Sequence, residues 1–310
     1  MKKYILQRLG MMIFVVFGIA FIVFSIMALT PGNPAQLILG QAAPPDQVAK
    51  LEEEMGLNDP FFVRFFDYIA HIFQGDFGTS YQTKLPVANE ILSRFPTTLL
   101  LATLAMFIAA LVGIPVGVVS AIRQYSIVDY ASTVAALVFA SIPSFVLGLV
   151  LMLIFSLNLH LLPATGVKDF SGYILPALSL SAMTMATLVR MTRSTMLEVL
   201  KQDYIRTARA KGSSNRQIVF HHCLRNAMLP IITVIGVDFG FLLGGAVVIE
   251  AVFAISGIGS LMITAIRMKD TPVVMGTLMF VTFAYSLVNL AVDILYAFID
   301  PRIKSQYERV

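Results

Sequence analysis

The chain has 310 residues, 57% of them hydrophobic and 13% charged, against about 45–50% apolar and 25% charged in an ordinary soluble domain. A water-soluble globule of this length has too little interior for so much apolar surface, and a disordered chain is far more polar; both are excluded. A net charge of +4, from 22 Lys+Arg and 18 Asp+Glu, is too small to argue for nucleic acid, so the partner that composition points to is the lipid bilayer, and an all-α membrane protein is expected.

Six stretches are apolar and long enough for a hydrocarbon core that takes about 20 helical residues: Leu9–Leu29, Thr97–Ala121, Tyr130–Leu157, Tyr173–Met196, Ala227–Ala254 and Val273–Ile299. Lys2, Lys3 and Arg8 flank the first, as in a secretion signal. Its uncharged run exceeds the roughly 7–15 residues of a signal core and no small-x-small cleavage pattern follows, so a retained span is expected. With the N-terminus inside, fifteen Lys and Arg fall on inner segments and seven on outer ones. Four of those seven lie in the long segment 31–95, whose charges count little towards orientation. Six transmembrane helices with both termini cytoplasmic are therefore expected.

The resulting organisation is a tail and first span over 1–30, an external loop subdomain over 31–95, a five-helix core over 96–300 and a short tail over 301–310. Within the external segment, Asp46 is placed to cap a helix carrying Val48, Leu51 and Met55, and the phenylalanines from Phe61 to Phe73 recur near helical spacing after Pro60. Such a helix is expected to fold against the outer mouth of the bundle. Pro115, Pro143 and Pro176 lie in or at the ends of spans, where a missing N–H bends a helix unless neighbours compensate. Gly236, Gly240, Gly244 and Gly245 give the fifth span two Gly-x-x-x-Gly spacings, which let helices approach closely.

Enzyme signatures are missing. No Gly-Lys dipeptide occurs, so no P-loop exists in this chain, and no His-Glu-x-x-His occurs. His221, His222 and Cys223 are metal-ligand types, but neighbouring helical residues point about 100° apart and no second cluster complements them; a polar surface is the simpler reading. Cys223 is the single cysteine, which excludes an internal disulfide. The carboxylates Asp238, Glu250 and Asp293 fall within or at the ends of spans, where an isolated charge is costly and faces a cavity or a partner. Three readings stay open for them: interhelical hydrogen bonding or a place near the interface, the proton or cation relay of an ion-coupled secondary transporter, and, for Asp238 and Asp293, the dyad of an intramembrane aspartyl protease. The last lacks the Gly-x-Gly-Asp pattern, since Asp238 follows Gly236-Val237.

The most informative segment is the basic loop between the fourth and fifth spans, 197–226. Asp203–Lys211 reads as a short helix with its cations near the C-terminal end, where the helix dipole favours them. Gly212 ends it, and Ser213 or Ser214 caps a second helix through Ile218 and Val219. Two short helices at an angle make a knob that suits a socket on another protein; a solvated positive loop is the alternative.

The sequence resembles the membrane permease subunits of ABC importers of the dipeptide, oligopeptide, glutathione and nickel type. The motifs that carry the resemblance run along the whole chain. They are Pro31-Gly32-Asn33-Pro34, Gly75-Asp76-Phe77-Gly78-Thr79-Ser80 with Pro86-Val87, and Arg94-Phe95-Pro96-Thr97-Thr98-Leu99. They continue with Asp203-Tyr204 and Arg206-Thr207-Ala208-Arg209-Ala210-Lys211-Gly212, then Leu224-Arg225-Asn226-Ala227-Met228-Leu229-Pro230. Last come Asn289-Leu290 with Asp293, Tyr296, Asp300, Pro301 and Arg302. Against the family's general Glu-Ala-Ala-x-x-x-Gly signature only Ala208 and Gly212 agree, with Arg206 where Glu is usual. Ser256 stands where Pro is usual in the stretch Glu250-Ala251-Val252-Phe253 to Gly257-Ile258-Gly259.

The resemblance implies the type I ABC importer permease fold in a bacterial inner membrane, a second homologous permease, two ABC ATPases and an external solute-binding protein. It implies that ATP and Mg belong to the ATPases and that this chain binds no cofactor and performs no covalent chemistry. The knob becomes the coupling loop, with Tyr204, Ile205, Arg206, Ala208, Arg209, Ala210 and Gly212 expected to carry the ATPase contact. Asp238, Glu250 and Asp293 stay as candidate pathway or gating residues. Peptide, glutathione and chelated nickel all remain open as cargo.

Overall fold

The computed structural model describes residues 2–29, 32–40 and 42–299. Pro31 and the tail 301–310 fall outside them, as does the side chain of Asp293. Helices α1 (Lys2–Leu29), α2 (Pro34–Leu39), α3 (Pro45–Glu54), α4 (Phe61–Phe73) and α5 (Val87–Ile122) are followed by α6 (Ile127–Ser141) and α7 (Ser144–Leu151). Then come α8 (Ile174–Leu200), α9 (Asp203–Ala210), α10 (Asn215–Gln217), α11 (Arg225–Val252), α12 (Ile258–Arg267) and α13 (Thr271–Ile299). One isolated bridge, Thr79 with Pro86, is the only β pairing among the described residues.

All six expected spans are apolar helices, but the third differs in kind. Its two halves, Ile127–Ser141 and Ser144–Asn158, meet at 100°. Pro143 pushes Ile142 into an extended conformation, φ −88° and ψ 120°, and then starts α7 itself. Beyond α7 the chain loosens into a π-helical turn over Met152–Asn158. The second span starts earlier than hydropathy suggests, since α5 begins at Val87, and the fifth is continuous from Asn215 through a π-helical stretch, Ile218–Leu224, to Val252.

The centre of the bundle is the crossing of α5 on α8. Gly113 and Gly117 make it close: a Cβ on Gly117 would sit 2.6 Å from the Cβ of Thr192 and 2.7 Å from the carbonyl of Val189. Helix α11 covers this pair, its upper half packing Leu242, Leu243, Ala246 and Ile249 against Leu101, Ala105 and Leu180. The two Gly-x-x-x-Gly spacings divide their work. Gly236 and Gly240 seat Val292 and Tyr285 of α13, whereas nothing lies over Gly244 within 4 Å.

At the end remote from the basic loop, α4 lies along the outer part of α1. Phe61 and Phe65 meet Phe21 and Phe24 edge-on at 5.3–5.9 Å between centroids. Asp46 is not the cap of α3; Pro44 holds that place, and Asp46 sits within the first turn. The true side-chain cap of this region is Asn33, whose Oδ1 accepts from the amides of Ala35 and Gln36 at 3.0 and 3.3 Å and whose amide donates to Glu52.

Candidate functional site

The knob forms as two linked helices with one buried anchor. After α8, Gln202 is extended (φ −72°, ψ 147°) and turns the chain into α9. Gly212 ends the turn at φ +84°, a conformation costly for any residue with a Cβ. Ser214 then starts α10 with a capping box: its hydroxyl accepts from the amide of Gln217 at 3.3 Å, and the Gln217 side chain accepts from the amide of Ser214 at 3.0 Å.

Ile205 departs from its expected role. It is fully buried among Met196, Ile218, Cys223, Ala227 and Ile231, so it fastens α9 to the bundle and presents nothing to a partner. The seven candidate residues thus divide. Tyr204, Arg206, Arg209, Ala210 and Gly212 are exposed, and Ala208 is half-buried beside them. Partial burial pushes the Tyr204 phenol up from its ordinary value. A cleft of about 560 Å³ opens next to this face, lined by Arg123, Lys201, Arg209 and Asn215. His221 and His222 stack edge-on at 5.2 Å, and no group of three His, Cys, Asp or Glu suited to a metal occurs among the described residues.

A buried ion pair in the last third of α8, which no periodicity reveals, ties α8 to α6 and the end of α5. Arg193 grips Asp129 with two bonds, Nε to Oδ1 at 2.6 Å and a terminal nitrogen to Oδ2 at 2.8 Å. Ser120 donates to the same carboxylate at 2.5 Å and the amide of Tyr125 at 2.9 Å. With four donors, a carboxylate only 2% exposed is satisfied. The end of α5, the start of α6 and α8 are thereby joined about two turns before the C-terminus of α8. The visible sequence signal was only an Asp in the first turn of a helix, and its partner lay 64 residues away.

The intramembrane carboxylates Glu250 and Asp238 occupy separate places. Glu250 is wholly buried and closes the N-terminus of α12: Thr98 donates to Oε1 at 2.5 Å, the amide of Ser260 to Oε2 at 3.1 Å, and Thr98 in turn accepts from the amide of Ile258 at 2.9 Å. A Cβ at Gly257 or Gly259 would overlap this carboxylate or Val247. The stretch Glu250 to Gly259 is therefore a self-contained corner, and Glu250 is a positioning residue within it. Asp238 lies twelve positions earlier on α11, roughly 18 Å along the axis at 1.5 Å per residue. It is half-buried, has no hydrogen-bond partner among the described residues, and faces a cavity of about 660 Å³ with Thr187, Phe241 and Gly245. Asp293 is on α13, its side chain outside the described residues.

Hydrophobic helices around a broken third span, with a capped helical knob on one end, define a type I ABC importer permease fold. The same fold appears in the MetNI methionine ABC transporter in an inward-facing conformation, with a TM-score of 0.58 at 18% identity over 68% of this chain and 96% of that one. A second form of that transporter gives 0.55 at 19% identity.

The chain belongs to the binding-protein-dependent transport system inner membrane components: residues 113–305 match that family and residues 1–102 its N-terminal companion. It is 42% identical to the glutathione transport system permease protein GsiC of Salmonella choleraesuis (strain SC-B67), over 98% of this chain and 99% of that one. The corresponding protein of Escherichia coli (strain K12) is 40% identical with the same coverage. This chain is therefore a multi-pass permease component of a bacterial inner membrane, a membrane subunit rather than a catalyst.

Proposed function

We propose that this permease forms one half of a translocation pathway for glutathione or a short peptide, driven by partner ATPases through the α9 knob. The observation that carries the mechanism is the division of α9 into a buried anchor, Ile205, and an exposed face of Tyr204, Arg206, Arg209 and Ala210. A short helix held by one core residue moves as a lever with the bundle, and its free face with the adjacent basic cleft fits a socket on another subunit. The Lys/Arg distribution supports a cytoplasmic position for this end. ATP and Mg act on two ATPase subunits, a homologous second permease completes the path, and a solute-binding protein delivers cargo to the external loop. This chain itself holds no cofactor. Cargo identity is taken from the glutathione permeases to which the chain is 40–42% identical over nearly its full length.

Asp238 suits the pathway, because an unpaired carboxylate in an open cavity attracts the cationic groups of such cargo. Glu250 belongs to the scaffold. The experiment is reconstitution of the permease with its neighbouring permease and ATPase subunits and binding protein, followed by ATP-driven uptake of labelled glutathione. Gly212→Pro and Ala208→Trp are expected to insert and assemble normally and to abolish uptake. Normal uptake by those variants, or uptake by the purified chain alone on a proton or sodium gradient, overturns the reading.

A further inference from the structure

At the end remote from the knob, a cleft of about 410 Å³ runs between α1 and α13, within the roughly 300–1,000 Å³ of ligand-sized sites. Its walls are apolar: Val23 and Met27 on α1 face Val274 and Leu278 on α13. Its mouth is cationic, with Arg64 of α4 on one side and Lys269, in the turn between α12 and α13, on the other. These wall residues span about one helical turn on each side, roughly 6 Å at 1.5 Å per residue. That depth is what a headgroup and the first part of an acyl chain occupy at a membrane interface.

Arg64 is held in place by its neighbours, and Lys269 is an exposed side chain on a turn fixed by its backbone. Arg64 donates to the carbonyl of Leu57 at 3.4 Å and lies over the Phe24 ring at 5.9 Å. Neither Arg64 nor Lys269 has a carboxylate within ion-pair distance among the described residues, and Asp270, next to Lys269, is buried and engaged by Ser80 and the amides of Tyr81 and Gln82. The acids nearby, Asp59, Asp67 and Asp76, line the adjoining outer cleft rather than this one, and Asp67 and Asp76 flank His71. Meanwhile Ile22 and Leu29 on α1 are 58% and 84% exposed.

We propose that this cleft holds an anionic phospholipid of the adjacent leaflet, its phosphate between Arg64 and Lys269 and its upper chain against Val23, Met27 and Leu278. Guanidinium and ammonium groups above an apolar slot between helices complement a phosphodiester above a hydrocarbon chain. A wholly apolar slot takes any lipid; the two cations select for charge. The lipid would fill the gap between a lightly packed first helix and the rest of the bundle. It stands independently of the cargo assigned above.

The test is native mass spectrometry of the full chain, released from bilayers of phosphatidylglycerol and phosphatidylcholine mixed equally. The wild type is expected to retain phosphatidylglycerol preferentially. R64Q or K269Q each lowers that preference about fivefold and the double variant about thirtyfold. K269Q changes an exposed side chain and R64K keeps the charge, so the pair remains informative if R64Q fails to assemble. R64K is expected to keep the preference. Equal retention of both lipids by the wild type, or an unchanged preference in K269Q and the double variant, overturns the proposal. So does a photo-crosslinking residue at Met27 that labels protein and no lipid in the assembled importer.

Discussion

Ser80 donates to Asp270 at 2.5 Å across 190 positions of sequence, and the same carboxylate accepts from the amides of Tyr81 and Gln82 at 3.1 and 3.2 Å. The turn after Gly75-Asp76-Phe77-Gly78 is thus buttoned to the corner between α12 and α13. Two further bonds shape it: Asp76 accepts from the amide of Gly78 at 2.8 Å, and Thr83 donates to Glu90.

This button gives Tyr81 a pH signature. Burial, and then the Asp270 charge, push its phenol up to about 12, opposed by Arg64. A raised phenol favours the folded state below the unfolded value near 10, and that contribution is lost as pH rises from about 10 to about 12. Tyrosinate absorbance of Y81F is expected to lose one late-titrating component relative to wild type. The same turn in Y81F is expected to loosen less steeply across that window, measured by limited proteolysis.

The Asp129–Arg193 pair predicts an asymmetry. R193Q strands a buried carboxylate and is expected to cost about 3–5 kcal/mol. D129N/R193Q removes both charges and is expected to cost clearly less. Thermal midpoints of the two variants in mild detergent decide it; equal losses mean the pair adds no coupling.

Around Glu250, E250A leaves the Ser260 amide and the Thr98 hydroxyl without acceptors and is expected to cost about 1–3 kcal/mol for each stranded group. E250Q keeps an acceptor and loses less. T98A/E250A is expected to fall short of the sum of its single variants, because the groups share one network. G259A, which drives a methyl into Val247, is expected to cost about 1–3 kcal/mol by overpacking.

The two faces of α9 separate stability from coupling. I205A opens a cavity in a fully buried site and is expected to cost about 2–5 kcal/mol. R206A/R209A, on the exposed face, is expected to stay within about 0.5 kcal/mol of wild type while lowering ATP-driven uptake. Thermal midpoint and uptake rate, read on the same preparations, distinguish these behaviours.

Much of the knob was legible in the chain. Gly212 and Ser214 act on their immediate neighbours, so the bend and the cap follow from residue type and order. The helical phenylalanine pattern of Phe61–Phe73 likewise announced a buried face, and Phe65 occupies it. Which face of α9 turns inward was not legible. Ile205 and Tyr204 are both apolar enough to serve as a contact, and only the position of the helix over Ile218 and Cys223 decides between them. Asp129, Glu250 and Asp270 are each engaged by a partner from a distant segment, which no local pattern around an acid records.

The sequence by itself determined that this is a helical bundle in a membrane, where its spans lie and which family it joins. Apolar run length and short-range motifs are local quantities, and a bilayer leaves a backbone few other solutions. Tertiary structure alone decided the 100° fold of the third span, the inward turn of Ile205 and the closure of Glu250 on α12. Each depends on which surfaces meet across tens to hundreds of residues, and such pairings are set by close packing and donor–acceptor satisfaction that no periodicity records.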